Sequence, residues 1–213
     1  MADIVQGTPE WHAARLGKVT ASRVADVVAR TKSGYAASRK NYLTELVLER
    51  LTGTVADTYT SNAMQWGIEH EADARAAYQF DLNTRVATVG FVDHPTIEHS
   101  GASPDGLVGE TGLVEIKCPH SSTHLDTIKS GEIPSRYVPQ MLWQMACTGR
   151  EWCDFVSYDP RFPDGMQLFI KRLERDDKAI SALEAEVIAF LQEVDEAVDA
   201  LRQKFISDIQ EAA

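Results

Sequence analysis

The chain has 213 residues, which is enough for one domain with a sizeable buried core. Hydrophobic residues make up 44% and charged residues 25% of the chain, as in ordinary globular proteins, and no apolar run is long enough to span a bilayer. The net charge of −11, taken alone, disfavours a nucleic-acid binder, because contacts to phosphate need lysine and arginine. The N-terminal residues lack a secretory leader pattern, so we expect a cytoplasmic protein without a membrane role.

The predicted elements follow an order that suits an α/β or α+β domain. Thr20-Ala-Ser22 can cap a first short helix, and a loop of small and basic residues follows at 32–35. Apolar spacing predicts helices at about 38–51, 64–80, 137–147 and 176–205, and β-branched runs predict strands at about 84–92, 102–108, 113–118, 154–158 and 166–172. We expect a single domain over 1–213, with a core at about 11–175 and an acidic amphipathic C-terminal helix.

The histidines and cysteines outside the main motif have plain interpretations. The three cysteines contain no CxxC pair, so we expect reduced, buried thiols rather than a disulfide framework or a four-cysteine cluster. His120 and His124 are four residues apart and could hold zinc on a helix, but no third ligand is evident nearby. We expect both histidines on the surface near the mouth of the active site.

Two charged regions leave alternatives open. Lys32, Arg39 and Lys40 form a basic cluster that could touch backbone phosphates, or could simply be a solvated helix start. The acidic C-terminal helix is expected to combine packing with a solvated face, and subunit contact or partner docking is the weaker alternative.

The informative motif is Ser103-Pro-Asp105-Gly106 followed by Glu115-Ile116-Lys117. Alternate side chains of a strand share a face, so Glu115 and Lys117 point the same way, and Asp105 reaches them if the two strands pair. Asp105 and Glu115 offer the oxygen ligands that Mg²⁺ prefers. Lys117 could orient a metal-bound water or stabilise charge growing on a phosphoryl group, so the set predicts phosphodiester hydrolysis.

Each part of this motif also has a bland interpretation. Pro-Asp-Gly is a common turn, and Glu115 with Lys117 could be a surface ion pair of little energetic value. In this order and at this short spacing, however, the residues match the PD-(D/E)XK signature. Glu71 adds a third acid on a helix face shared with Ala74 and Tyr78, where a metal would partner it, and an ion pair with Arg75 is the alternative.

The full ordered set of motifs resembles the phage lambda exonuclease and viral recombinase family, over almost the whole chain. The resemblance is carried by Trp11-His-Ala-Ala-Arg15-Leu-Gly17, Thr20-Ala-Ser22, Trp66-Gly67, Glu71-Ala-Asp73-Ala-Arg75, Ser103-Pro-Asp105-Gly106, Glu115-Ile-Lys117-Cys118-Pro119, Tyr137, Gln140 and Tyr158-Asp-Pro160-Arg161. It implies a restriction-endonuclease-like core, in which helices flank a central mixed β-sheet.

The resemblance also implies roles for individual residues. Asp105, Glu115 and the backbone carbonyl of Ile116 would hold Mg²⁺, and Glu71 would hold or position a second ion or its waters; Mn²⁺ could substitute. Lys117 would be the catalytic lysine. Gln140 would orient the water or the strand, with a helix-surface amide as its alternative, and Tyr137 would lie close by. The 5′-terminal phosphate would be bound by Arg15, Ser22 and Ser103.

At the level of the whole protein, the resemblance implies a 5′→3′ exonuclease that digests one strand of linear duplex DNA and leaves a 3′ overhang. It further implies a homotrimeric ring around DNA, a single-strand annealing partner in recombination, and a phage or prophage origin in a bacterial host. The alternatives are an endonuclease or repair nuclease on the same core, and a non-catalytic DNA-binding subunit. An acidic protein-interaction module would explain the charge but not the motif.

Overall fold

The computed structural model describes residues 4–55 and 62–211. Its helices are α1 (Pro9–Arg15), α2 (Val24–Val27), α3 (Ala37–Thr52), α4 (Asn62–Asp81), α5 (Ser121–Ser130), α6 (Val138–Thr148) and α7 (Asp177–Glu211). Its strands are β1 (Val19–Thr20), β2 (Arg30–Thr31), β3 (Gly34–Tyr35), β4 (Val86–Ala87), β5 (Val92–Asp93), β6 (Ser100–Ala102), β7 (Gly106–Val108), β8 (Gly112–Lys117), β9 (Trp152–Tyr158) and β10 (Leu168–Glu174). Short 3₁₀ turns at Ala21–Arg23 and Ser135–Tyr137 lead into α2 and α6.

The main sheet is mixed and has the strand order β10-β9-β8-β7-β4. β8 and β9 pair in parallel, so the chain between them must cross over, and α5 and α6 form that connection. The other neighbours in this sheet are antiparallel. Smaller sheets have the order β1-β6-β5 and β2-β3.

The central strand β8 separates two parts of the core. Val114 and Ile116 pack with Tyr78 of α4 on one face of the sheet. Leu113, on the opposite face, packs with Met141 of α6. All five side chains are buried, and each contributes about 1.5–3 kcal/mol through removal of apolar area from water. The predicted period of two along this strand is therefore confirmed, and α4 and α6 are placed on opposite sides of it.

A further core cluster lies between the three-stranded sheet β1-β6-β5, called the small sheet below, and helices α2, α3, α6 and α7. Tyr42 of α3 stacks on Phe190 of α7 with 5.5 Å between ring centroids, and Trp143 of α6 is fully buried beside them. Helix α3 is followed by its C-cap residue Gly53, whose positive φ of 67° is favourable for glycine. Helix α7 begins after Asp176, whose carboxylate accepts hydrogen bonds from the main-chain N–H groups of the first turn.

Two of the stretches predicted as single strands are each divided into two strands in the structure. The stretch 84–92 is divided into β4 in the main sheet and β5 in the small sheet, and the chain turns between them. Gly90 lies at this turn, where a Cβ atom would come within 2.1 Å of the Ile4 carbonyl oxygen, so a larger residue does not fit. The stretch 102–108 is likewise broken at residues 103–105, where the chain passes from β6 of the small sheet to β7 of the main sheet.

Several short elements near the N-terminus, and helix α5, were not predicted as such. Helix α1 begins after Thr8, whose hydroxyl accepts a hydrogen bond from the Trp11 N–H, with Pro9 at the first position; the Thr-Pro-Glu sequence carried that signal. Helix α5 follows the catalytic motif directly. The loop predicted at 32–35 is the turn and second strand of the β2-β3 hairpin.

The expected surface position of His124 is wrong. Its side chain is fully buried, with Nδ1 2.7 Å from the Ser157 hydroxyl and Nε2 2.9 Å from the Met166 carbonyl oxygen. Because a carbonyl oxygen accepts, Nε2 donates, and neither nitrogen is left for a zinc shared with His120. This histidine holds the β9-β10 hairpin against α5.

The expected basic cluster at the start of α3 also needs correction. Arg39 is buried and forms a two-pronged ion pair with Glu193 of α7, at 2.7 and 2.8 Å. It therefore has no free face for a backbone phosphate. The cysteine prediction is confirmed, since the thiols of Cys118, Cys147 and Cys153 are all free and buried. No helix within the described ranges has both the length and the apolar character needed to cross a membrane.

Candidate active site

The pairing of β7 with β8 brings Asp105 to the centre of β8. Gly106 lies opposite Val114, and the Asp105 carboxylate just before it accepts a hydrogen bond of 2.6 Å from the Ile116 N–H. Burial and the nearby charge of Glu115 raise the pKa of Asp105 well above its usual range. A positive charge beside Asp105 would offset the cost of ionising this buried carboxyl group, and a metal ion supplies such a charge.

Glu115 is a fully buried acid in the middle of β8. Its Oε1 accepts a hydrogen bond of 2.6 Å from the Gln140 side-chain amide, and its Oε2 accepts one of 2.5 Å from the Gln144 amide. Its Oε1 is also ion-paired with the Lys117 ammonium. A buried carboxylate is tolerated when its oxygens are paired in this way. The alternative of a surface ion pair on an edge strand is therefore wrong.

Lys117 lies at the end of β8, where its ammonium is partly open to solvent. Burial on its own would lower the pKa of Lys117, but the charges of Glu115 and Asp105 outweigh that effect and raise it. The lysine is therefore a cation in this structure. Its Nζ is 5.3 Å from the centroid of the Tyr137 ring, which stacks on Phe155 of β9 at 5.4 Å.

Glu71 approaches the same region from α4. Its negative charge acts on Asp105, which places the two carboxylates in one electrostatic environment. Its own carboxylate is ion-paired with Arg75 one turn along the helix. The ion pair considered as an alternative from the sequence is therefore present in the structure, beside a site that still has an excess of acid.

A cationic pocket lies next to these acids. The Arg15 guanidinium stacks on the Trp11 ring, 3.8 Å from its centroid, and the Trp11 indole N–H donates to the Ser103 hydroxyl at 2.9 Å. Burial lowers the pKa of Arg15. Electrostatic interactions with Tyr42 and Glu49 oppose this effect, and Arg15 lines a cleft. The Ser22 hydroxyl lies nearby, 3.3 Å from that of Thr20.

One cleft of about 1010 Å³ joins the acidic and the cationic parts. It is large enough for a nucleotide end, being at the upper limit of typical ligand pockets. Its walls come from α1, α3, α4 and the loops around β1 and β7, and the predicted site residues along it are Arg15, Ser22, Glu71 and Asp105. Ser103 is not part of the cleft wall, but its hydroxyl accepts a hydrogen bond from Trp11, which is.

The sequence-predicted set is thus brought together, by contact or along one cleft. Gln140 bonds to Glu115 rather than forming a helix-surface amide. The residue that the sequence analysis missed is Gln144, which is fully buried and one helical turn from Gln140. Two glutamines four residues apart in an otherwise apolar helix were the available signal, because such residues share a helix face.

The donors present suit a hard divalent cation. Carboxylate and carbonyl oxygens are the ligands that Mg²⁺ and Mn²⁺ prefer. Within the described part of the chain, no three His, Cys, Asp or Glu side chains cluster closely enough to hold a metal by themselves. The expected set needs two side chains, Asp105 and Glu115, because the Ile116 main chain would supply the third oxygen. Two neighbouring carboxylates and a main-chain carbonyl are a hard-oxygen donor set, so the residues fit the group.

Comparisons with known proteins agree with the motif. The YqaJ-like viral recombinase domain profile matches residues 10–151. The crystal structure of an alkaline exonuclease (LHK-Exo) from Laribacter hongkongensis is 56% identical in sequence, with a TM-score of 0.88, covering 94% of this chain and 99% of that chain. The structure of LHK-Exo in complex with dAMP matches equally well.

A phage related exonuclease from Haemophilus somnus 129PT is 16% identical with a TM-score of 0.67, covering 86% of this chain and 96% of that chain, which shows a shared fold alone. No curated protein matches this chain. The mixed sheet flanked by helices is the fold expected from the sequence, and the resemblance drawn from the motifs is confirmed. The profile spans residues 10–151, and a 56% identical relative matches over 94% of the chain; the protein belongs to the family of YqaJ-like viral recombinase domains.

Proposed function

We propose that this protein is a metal-dependent exonuclease that digests one strand of linear duplex DNA from its 5′ end and leaves a 3′ single-stranded overhang. The observation that carries the proposal is the pair of carboxylates, Asp105 and Glu115, held beside the Lys117 ammonium. The family and the alkaline exonuclease at 56% identity support a DNA exonuclease.

Asp105, Glu115 and the Ile116 carbonyl would hold Mg²⁺, and Mn²⁺ can substitute because it accepts the same ligands. Glu71 would hold a second ion or its waters after release from Arg75. When bound, the ion lowers the pKa of a water molecule and polarises the phosphoryl oxygen. Lys117 stabilises negative charge at the phosphorus, and Gln140 keeps the Glu115 carboxylate in a fixed orientation.

The 5′ end would be recognised by Arg15 together with the Ser22 and Ser103 hydroxyls. Arginine forms charge-assisted hydrogen bonds with phosphate, and the Arg15 guanidinium stacks on the Trp11 ring at the wall of the cleft. Arg15 and Asp105 line one cleft, which supports an end pocket next to the acids that would hold the metal. A terminal phosphate bound by Arg15 would therefore present the nearby phosphodiester bond for hydrolysis.

We also propose the biological setting that the family suggests. The protein would act as a homotrimeric ring around DNA, beside a single-strand annealing protein, in recombination of phage or prophage origin in the cytoplasm of a bacterial host. Support for this part is limited to membership of the viral recombinase family.

The test uses three DNAs with Mg²⁺: linear duplex with a 5′-phosphate, linear duplex with a 5′-hydroxyl, and closed circular duplex. We expect the phosphorylated linear DNA to be digested fastest and the circle to survive. Asp105→Ala should be inactive, and Arg15→Ala should lose the phosphate preference. Cutting of the circle would instead indicate an endonuclease on the same core. No cutting with either Mg²⁺ or Mn²⁺ would indicate a non-catalytic DNA-binding protein.

A further inference from the structure

Most arginines of this acidic chain are neutralised within the protein. The described arginines that form ion pairs with acids are Arg23, Arg30, Arg39, Arg50, Arg75, Arg161, Arg172 and Arg175. Arg150 instead donates to main-chain carbonyls. Arginines that keep a positive charge without an acidic partner are therefore informative about negatively charged ligands.

Arg136 is such a residue, and it lies at the candidate active site. It is exposed, and within the described residues no acid comes within ion-pair distance of it. Its Nη2 donates to the Tyr137 hydroxyl at 2.8 Å, and its guanidinium carbon is 4.7 Å from the centroid of that ring. The Lys117 ammonium is 5.3 Å from the same centroid. Arg136 and Lys117 thus both lie close to the Tyr137 ring.

We propose that Arg136 binds the backbone phosphate of the DNA strand next to the phosphate being hydrolysed. A strand carries one negative charge for about every 3.4 Å of helix axis, so a cation on the ring that contacts Lys117 meets a neighbouring phosphate. Guanidinium has five N–H donors, and the bond to Tyr137 uses one of them. The remaining donors match the oxygens of a phosphate group. This proposal rests on the proposed function, because it assumes that Lys117 faces the scissile phosphate.

The experiment measures DNA binding as a function of salt. Asp105→Ala, which should not cut, is titrated by fluorescence anisotropy against a 5′-phosphorylated linear duplex at several NaCl concentrations. The slope of log K against log salt is negative. Adding Arg136→Ala to this variant should reduce the magnitude of this slope by about 0.9, the value for one lost phosphate contact. Arg136→Lys should keep most of the slope. Arg202→Ala on α7, which removes another exposed arginine that forms no ion pair with the described acids, is the matched control and should not change it.

A second measurement separates Arg136 from the end pocket. In the otherwise wild-type protein, Arg136→Ala should slow digestion of 5′-phosphorylated and 5′-hydroxyl duplexes by the same factor, whereas Arg15→Ala should affect the phosphorylated duplex alone. An unchanged salt slope, or an altered ratio between the two duplexes, would overturn the proposal while leaving the nuclease assignment intact. If Asp105→Ala does not bind duplex and the wild type does not cut it, the proposed function itself fails and Arg136 with it.

Discussion

Two regions of the molecule, the contact with α7 and the surroundings of Asp105, use the same kinds of charge for different purposes. At the contact with α7, arginines of α3 and of the β2-β3 hairpin each form an ion pair with a carboxylate of the C-terminal helix: Arg30 with Glu186, Arg39 with Glu193, and Arg50 with Asp195. These pairs are separated by 145 to 156 residues in the chain, so they fasten the C-terminal helix to the rest of the fold.

Immediately around Asp105, the charges are not balanced. Asp105, Glu115 and Glu71 outnumber the nearby cations Lys117 and Arg75, and burial with the charge of Glu115 raises the pKa of Asp105. Burying unpaired charge is costly, so a protein keeps such groups where a ligand will compensate them. The net charge of −11 hides this difference, because much of the acid is used for packing along α7 rather than for repelling DNA.

After the loss of activity expected for Asp105→Ala, the largest effect should come from Lys117→Ala. Removing one group that stabilises charge in the transition state lowers kcat by about 10² to 10³-fold. Single-turnover digestion of phosphorylated linear duplex would measure it. Lys171→Ala on β10, which removes a half-exposed lysine 3.7 Å from Glu132, should keep the wild-type rate. A rate for Lys117→Ala within a factor of a few of the wild type would show that this charge has no catalytic part.

Gln144→Leu should have the next largest effect on activity. It removes the amide that donates a hydrogen bond to Glu115 and replaces it with an apolar side chain of similar size. Groups that orient a metal ligand typically change metal affinity by about 10 to 100-fold. We expect the Mn²⁺ concentration for half-maximal activity to rise by that factor. Gln192→Leu, on the exposed face of α7, should leave it unchanged. An unaltered Mn²⁺ midpoint would mean that Gln144 is a packing residue alone.

Arg39→Met tests the structural side of the comparison. It removes a two-pronged ion pair with Glu193 and a hydrogen bond of 3.1 Å to the Val27 carbonyl oxygen. The free energy of unfolding in urea should fall by about 1–3 kcal/mol, since hydrogen bonds to charged groups have this value. Nuclease activity below the transition should not change. Weaker DNA binding at unchanged stability would instead restore the basic cluster as a phosphate contact.

Asp159→Asn should have the smallest effect, and one that depends on pH. Burial alone would raise the pKa of Asp159, but hydrogen bonds from Arg161 and Ser121 lower it to about 2. The stabilisation is therefore present above the ordinary aspartate pKa and is lost as the pH falls towards 2. Because Arg161 is half-exposed, we expect about 1–2 kcal/mol at neutral pH. Equal differences in unfolding free energy between wild type and variant at pH 7 and pH 3 would contradict this assignment.

The sequence predicts local features of this molecule well and distant contacts poorly. The helix at 38–51 and the strand at 113–118 were found to within a residue or two, and the period of two correctly placed Glu115 and Lys117 on one face. The spacing of Gln140 and Gln144 places both amides on one face of α6, but their contact with Glu115 depends on how α6 packs against β8, which the local sequence does not give.

Burial explains the remaining errors. His124 lies in a polar stretch of sequence and was therefore expected at the surface. Its two ring nitrogens are instead hydrogen-bonded to Ser157 and to the Met166 main chain, 33 and 42 residues away. Arg39 likewise finds its acid in α7, 154 residues away. Polar residues of this kind look solvated in the sequence because their partners are brought to them by the fold.

The central claim is that Asp105 and Glu115 together bind a divalent metal ion, and that the Lys117 ammonium does not substitute for this ion. Isothermal titration calorimetry of Mn²⁺ into the wild-type protein and into Asp105→Asn, without DNA, tests it most directly. We predict saturable binding to the wild type and loss of that binding in Asp105→Asn, with no decrease in the melting temperature because a costly buried charge has been removed. Equal Mn²⁺ affinity in both proteins would contradict the claim.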